Sequence, residues 1–208
     1  MPRLIICDSM HHTVTERAAD MEARLPFISR FAFTFGDYCG GPAAETVVIE
    51  KNALLARDRL SMLTEIPFSA AGAFAKSRSL YHAQGLAFDL TVPGDAKRRL
   101  IHTAIAGCGF RILPPALSGT KLTLLFPLPF RVLEMGSANC GVCLLQRLLC
   151  ELGYLRRPVD GRFGVDTLYA LRRFRRANGL PDSDAVFPCE LAALLRLTTL
   201  SPDATMGW

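Results

Sequence analysis

Asp160-Gly161-Arg162-Phe163-Gly164 lies between two apolar stripes, Val142, Leu145, Leu149 and Leu152 before it and Leu168, Leu171 and Phe174 after it. Residues three and four apart share one face of a helix, so each stripe predicts an amphipathic helix with that face turned inward. Gly153 ends the first helix and Asn178-Gly179 the second, because glycine accepts the left-handed conformation that closes a helix. Between them Asp160-Gly161 supplies a tight turn, Phe163 anchors it in the core, and Gly164 lets the next helix approach. Leu191, Leu194 and Leu195 make a third stripe. Three short helices in so few residues close as a small bundle around Leu145, Leu149, Leu171, Phe174 and Leu191.

Towards the N-terminus the period changes. Leu86, Phe88, Leu90 and Val92 alternate with Ala87, Asp89 and Thr91, the period of a strand with one buried face. Pro93-Gly94-Asp95 then leads into a helix with Leu100, Ile101, Ala104 and Ile105 on its apolar face and Gly107 as its stop. Two further strands fit Phe110–Leu113 and Lys121–Phe126. Upstream, Ile49, Ala53, Ala56, Leu60 and Leu63, widened by Val48, Leu55 and Met62, predict a helix that Ile66-Pro67 ends. Gly36–Pro42 reads as a loop, and residues 1–30 as an extended arm with a short helix around Val14–Arg24. The fold class is therefore α+β, a small and mostly antiparallel sheet with helices, plus a C-terminal three-helix bundle. The expected units are an arm over 1–30, an α+β domain over 31–133, an independent helical domain over 134–203 and a tail over 204–208.

Composition narrows the function classes. The chain has 208 residues, 50% hydrophobic and 21% charged, with a net charge of +5, so it can bury a core. No apolar run approaches the ~20 residues of a membrane span, and Met1–Cys7 lacks the form of a signal peptide. The densest basic cluster, Arg172-Arg173-Phe174-Arg175-Arg176, shares its domain with eight acids, which suits a solvated helix face and argues against a nucleic-acid partner. A mean hydropathy of +0.24 and 13 Phe point to apolar surface covered by other subunits of an assembly. Seven cysteines are dispersed along the chain. Cys150 and Cys189, on the first and third helices of the bundle, are the first candidates for a disulfide outside the cytoplasm. Cys140-Gly141-Val142-Cys143 opens a helix without the strand context of a redox motif.

Two resemblances follow from these motifs. Leu145-Gln146, Leu152-Gly153-Tyr154, Asp160-Gly161-Arg162-Phe163-Gly164, Thr167, Ala170, Phe174 and Gly179-Leu180 stand in the order and spacing of a known domain. The segment, about residues 140–197, resembles the three-helix peptidoglycan-binding domain of cell-wall hydrolases. The resemblance implies peptidoglycan as partner, with Asp160, Arg162, Phe163, Tyr169 and Arg173 as candidate binding residues. It departs from the family at Arg175, where a glutamine is usual, and at Asp182–Phe187, where the usual glycine is missing. Further upstream, His82-Ala83-Gln84-Gly85-Leu86-Ala87-Phe88-Asp89 has the form HxxGxAxD. Residues 30–126 resemble the zinc D-alanyl-D-alanine carboxypeptidases and related phage endolysin peptidases.

That second resemblance implies His82 and Asp89 as metal ligands, with a third ligand, a histidine, and an acidic base on a later strand. A catalytic zinc needs three protein ligands, an open water position and a carboxylate to move protons. The corresponding strand, Gly119–Phe126, holds neither histidine nor acid, and residues 96–133 hold no Asp or Glu at all. The expectation is a catalytically incomplete, peptidase-like domain with no cofactor, joined to a wall-binding domain. A bacteriophage virion component of the tail or baseplate unites these features. Such a chain has no signal peptide, resides in the virion or the cytoplasm of the producing cell, and acts at the wall. The alternative is an active zinc peptidase that recruits Cys108 or His102 as third ligand.

Overall fold

The computed structural model describes residues 2–18, 20–24, 34, 38, 46–65, 80–92, 94–113, 121–127, 132–187, 190, 191 and 194. Strands β1 (Arg3–Asp8), β2 (Thr13–Ala18) and β3 (Thr46–Glu50) form one sheet in the order β2-β1-β3. β1 runs antiparallel to β2, with Ile5 opposite Glu16, and parallel to β3, with Ile5 opposite Val48. Helix α1 (Lys51–Thr64) follows β3 directly, and the one-turn helix α2 (Leu80–Ala83) precedes β4 (Ala87–Thr91). Helix α3 (Gly94–Cys108), β5 (Arg111–Leu113) and β6 (Lys121–Leu125) complete this half, with β4, β6 and β5 in a second, wholly antiparallel sheet. Helices α4 (Cys140–Glu151) and α5 (Val165–Ala177) follow, and the described residues Glu190, Leu191 and Leu194 are helical too. The α+β class stands.

The N-terminal segment differs from its sequence reading. Residues 3–18 are a β-hairpin, not an arm with a helix over Val14–Arg24, and β1 is the central strand of its sheet. Leu4 and Ile6 enter a core with Val47, Ile49, Leu54, Leu60, Phe88, Leu100 and Phe110. Ile5 and Cys7 point the other way, into a second core with Val14, Val48, Leu86, Leu125, Ala138, Cys140 and Cys143. A strand buried on both faces shows a continuous apolar run in place of alternation. Leu4-Ile5-Ile6-Cys7 and Val47-Val48-Ile49 are such runs, and the second merges in sequence with the stripe of α1. The helix therefore starts at Lys51 rather than at Val48, with Glu50 as its N-cap. Glu65 closes it in a left-handed conformation, φ 57°. Helix α3 runs past Gly107, and Gly109, φ 74°, is the left-handed residue after its end.

The helical unit has its own core of Leu133, Val142, Leu145, Leu148, Leu149, Phe163, Ala170, Leu171, Phe174, Val186, Leu191 and Leu194. Tyr154 sits edge-on to Phe174 with ring centroids 5.5 Å apart, which gives the Leu-Gly-Tyr motif a packing role. Leu133 and Val186 exchange two backbone hydrogen bonds of 3.0 and 2.7 Å. The chain around the expected boundary is thereby sewn into the bundle. Helix α4 is buried on both sides, towards the bundle through Val142, Leu145 and Leu149 and towards the hairpin through Cys140 and Cys143. The bundle and the first sheet thus share a core, where the sequence predicted an independent unit. The loop at Gly36–Pro42, the boundary residues Leu128–Arg131, the tail 204–208 and Leu195 lie, apart from Tyr38, outside the described residues.

Candidate wall-binding face

The Asp160-Gly161-Arg162 turn is organised by Gln146, in sequence no more than one letter of a motif. Gln146, 3% exposed on α4, accepts from the backbone N–H groups of Asp160 and Gly161 at 3.0 and 2.9 Å through Oε1. Its Nε2 lies 2.7 Å from Asp160 Oδ1, 3.0 Å from the Arg162 carbonyl and 3.1 Å from Thr167 Oγ1. Asp160 Oδ1 also accepts from the Arg162 N–H at 2.9 Å, closing an Asx turn. A buried amide that satisfies both its own polarity and that of a turn fixes one geometry. Gln146, Asp160 and Thr167 therefore act as a unit, although 14 and 21 residues separate Gln146 from its partners.

The same turn is docked on the hairpin. Gly161, φ 73°, is buried, and a Cβ on it would come 2.8 Å from Cys143 Sγ and 3.3 Å from the methyls of Val14. Arg162 Nη2 donates to the Val14 carbonyl at 2.7 Å, and Arg3 Nη1 reaches the Val159 carbonyl at 3.4 Å. Phe163, 1% exposed, is a core side chain. Asp160, Arg162 and Phe163, three of the five binding candidates, are thus engaged in holding the turn and its dock.

Tyr169 and Arg173 are placed differently. They lie four residues apart on α5, on the face opposite Ala170, Leu171 and Phe174, and both are exposed, Tyr169 at 60%. Val165, one turn before Tyr169, is exposed as well. Among the described residues Arg173 makes one long hydrogen bond, 3.5 Å to the Tyr154 carbonyl. The neighbouring Arg172 pairs with both carboxylate oxygens of Asp184, one of the two acids in the glycine-less segment, at 2.8 Å. Arg175, the other departure from the family pattern, is buried. Its guanidinium grips Glu190 at 2.6–2.9 Å and the Ala185 carbonyl at 2.5 Å. Glu190 in turn accepts from the Phe187 N–H at 3.2 Å, so Arg175 fastens the third helix to α5.

In the other half, the structure brings His82 and Asp89 together. His82 is buried at the end of α2, and its Nε2 lies 3.1 Å from Oδ1 of Asp89, which is exposed on β4. The pair has ion-pair distance but not hydrogen-bond alignment, and both ring nitrogens of His82 lack an aligned partner among the described residues. Thr123, opposite Asp89 on β6, donates to the same oxygen at 2.7 Å. His102 is exposed on α3, and Cys108 ends that helix. Among the described residues no three His, Cys, Asp or Glu side chains are grouped to hold a metal.

Cys150, expected to bridge to Cys189, is a free, half-buried thiol that donates to the Arg157 carbonyl at 3.4 Å. Cys189 lies outside the described residues. Cys140 and Cys143 open α4, as the sequence suggested, and they pack against β1. Cys7 Sγ stands 3.8 Å from Cys143 Sγ, and Cys140 donates to Glu50 Oε2 at 2.8 Å.

Residues 141–186 match the family model described as "Putative peptidoglycan binding domain". This segment is therefore similar to a peptidoglycan-binding domain. The matched segment begins within α4 and ends at Val186, so it contains Gln146, the docked turn and all of α5. No curated protein and no solved structure matches the chain. Among the described residues no helix is long and apolar enough to cross a membrane.

Proposed function

We propose that the chain binds peptidoglycan through the exposed face of α5 and that its N-terminal half is a platform that does not hydrolyse the wall. The observation that carries the reading is the peptidoglycan-binding match over residues 141–186, with Tyr169 and Arg173 standing free of the core on its second helix. An exposed ring offers a flat apolar surface to the apolar face of a sugar. A guanidinium pairs with the carboxylates of a stem peptide in a geometry that an ammonium does not reproduce. Support for a non-hydrolytic platform comes from the engagement of Asp89 with Thr123 and from a β6 sequence without histidine or acid.

Co-sedimentation with purified sacculi tests the reading. The wild-type chain is expected to pellet, and Tyr169→Ala combined with Arg173→Glu to remain in the supernatant while melting at the wild-type temperature. Wild-type protein that stays soluble with sacculi, or a double variant that pellets equally, overturns it. Zymography with and without zinc is expected to show no clearing, and clearing that His82→Ala abolishes would restore the zinc-peptidase alternative. The finer form of the proposal makes the chain a bacteriophage tail or baseplate subunit. Its support is the exposure of Met62 and Leu63 on α1 and Ile105 on α3, side chains that neighbouring subunits would cover. Proteomics of purified virions decides that point.

A further inference from the structure

Three thiols and a carboxylate meet where the hairpin docks on the peptidoglycan-binding domain. Cys7 on β1, Cys140 and Cys143 on the first turn of α4, and Glu50 at the end of β3 all have no exposed surface. Their arrangement divides the thiols. Cys140 is occupied as a donor to Glu50, whose carboxylate also accepts from Ser9 Oγ at 2.7 Å and Asn52 Nδ2 at 2.8 Å. Cys7, which also has Cys140 beside it, faces Cys143 with the two sulfurs 3.8 Å apart. A single buried cysteine is an ordinary small apolar residue. Two sulfurs in contact across a seam between two parts of a chain offer a further chemistry.

We propose that Cys7 and Cys143 are a dithiol that closes into a disulfide and fastens the N-terminal hairpin covalently to the peptidoglycan-binding domain. The oxidant is an external disulfide, small-molecule or protein. One cysteine, as thiolate, attacks the donor's S–S bond and expels one donor thiol. The second cysteine then attacks the mixed disulfide and releases the other. The two cysteines lose two protons and two electrons, the donor's S–S bond is reduced, and the two protons end on the donor thiols. From 3.8 Å the sulfurs must approach to ~2.05 Å for the bond to form.

Burial sets when this happens. Hydrogen bonding with Cys140 and burial hold the Cys7 thiol well above its ordinary range, and contact with Cys7 together with burial does the same for Cys143. The docked thiols are therefore poor nucleophiles, and closure belongs to folding, before the hairpin seats. Once closed, the bond is shielded from reductants by the same packing. The compartment follows from the proposed wall-directed function, because disulfides persist outside the reducing cytoplasm. The capacity to close does not depend on it.

The test is oxidative refolding of the full chain with oxidised glutathione, then peptide mapping without reductant. The expected product is a Cys7–Cys143 linked peptide pair that also forms in Cys140→Ser. Oxidised protein is expected to melt about 5–15 °C above the reduced form, since the bond closes a loop across 136 residues. In Cys7→Ala the rise disappears. Free Cys7 and Cys143 after oxidative refolding, or Cys140–Cys143 as the sole linked pair, overturns the proposal. Because the linkage is read in solution, a chain that fails to pellet with sacculi but shows the bond refutes wall binding alone. A chain that pellets without the bond refutes the clasp alone.

Discussion

Gln146 shows what a single residue can hide in a sequence. Its place in the Leu-Gly-Tyr and Asp-Gly motif set was legible, but its role depends on partners 14 to 21 residues away. No local periodicity records them. Removing it leaves two turn N–H groups without their acceptor and the Asp160 carboxylate without one of its two donors. Gln146→Leu is therefore expected to cost about 2–4 kcal/mol, measured by urea unfolding. A loss under ~0.5 kcal/mol would show that water replaces the amide. Asp8 gives a pH-dependent case. Burial works against its charge, but Lys51 at 2.8 Å, Asn52 at 3.1 Å and His11 at 2.9 Å hold its carboxyl well below the usual carboxylate range. A carboxyl with a lowered folded pKa contributes stability above its unfolded value of ~3.9, and that contribution is lost as pH falls towards the folded value. Asp8→Asn should remove this part of the acid sensitivity, so its melting temperature should fall less than the wild type's between pH 5 and the acid limit. Parallel curves for the two proteins would show that the contacts of Asp8 carry no pH dependence.

At the scale of elements, legibility followed burial. Strand β4 and helices α3 and α5 each have one wet face or stripe, and their residues announced it, whereas α4, buried on both sides, was legible only through its bundle stripe. β1 and β3 did not, because both their faces are covered. Nor did the turn between β1 and β2 carry a signal. Ser9-Met10-His11-His12 has no glycine, proline or asparagine, and His12 itself takes the left-handed conformation at φ 54°. The His82/Asp89 pair was singled out through the HxxGxAxD resemblance, and the structure places its side chains 3.1 Å apart. The central place of β1 makes it an element whose loss the rest of the chain should feel. Ile5→Ala, at a fully buried position opposite Val48, is expected to cost about 2–5 kcal/mol. The same truncation at Met10, exposed in the turn, should cost under ~0.5 kcal/mol. Equal losses at the two positions would mean that β1 is not central.

The whole molecule turns on the seam between its two parts. Long-range contacts cannot be read from one sequence, so the motif that identified the helical unit also suggested that it stood alone. In the structure, Ala138, Cys140, Cys143, Val159 and the backbone of Gly161 face the hairpin, and Arg162 and Arg3 each donate across the seam. A fragment starting at residue 132 keeps the bundle core around Phe163 and Phe174 but opens that apolar side of α4 and its turn to water. Apolar surface left uncovered forgoes about 25 cal/mol for each Å², so the fragment is expected to fold yet melt below the full chain. The full chain should unfold in one cooperative transition by circular dichroism and calorimetry, because a shared core couples the two halves. Arg162→Ala removes one cross-seam hydrogen bond while leaving the bundle core intact, and it should split or broaden that transition before it lowers the fragment's own melting temperature. If the fragment melts where the full chain does, and Arg162→Ala changes neither, the seam is a contact without coupling and the peptidoglycan-binding domain is the independent unit that its sequence suggested.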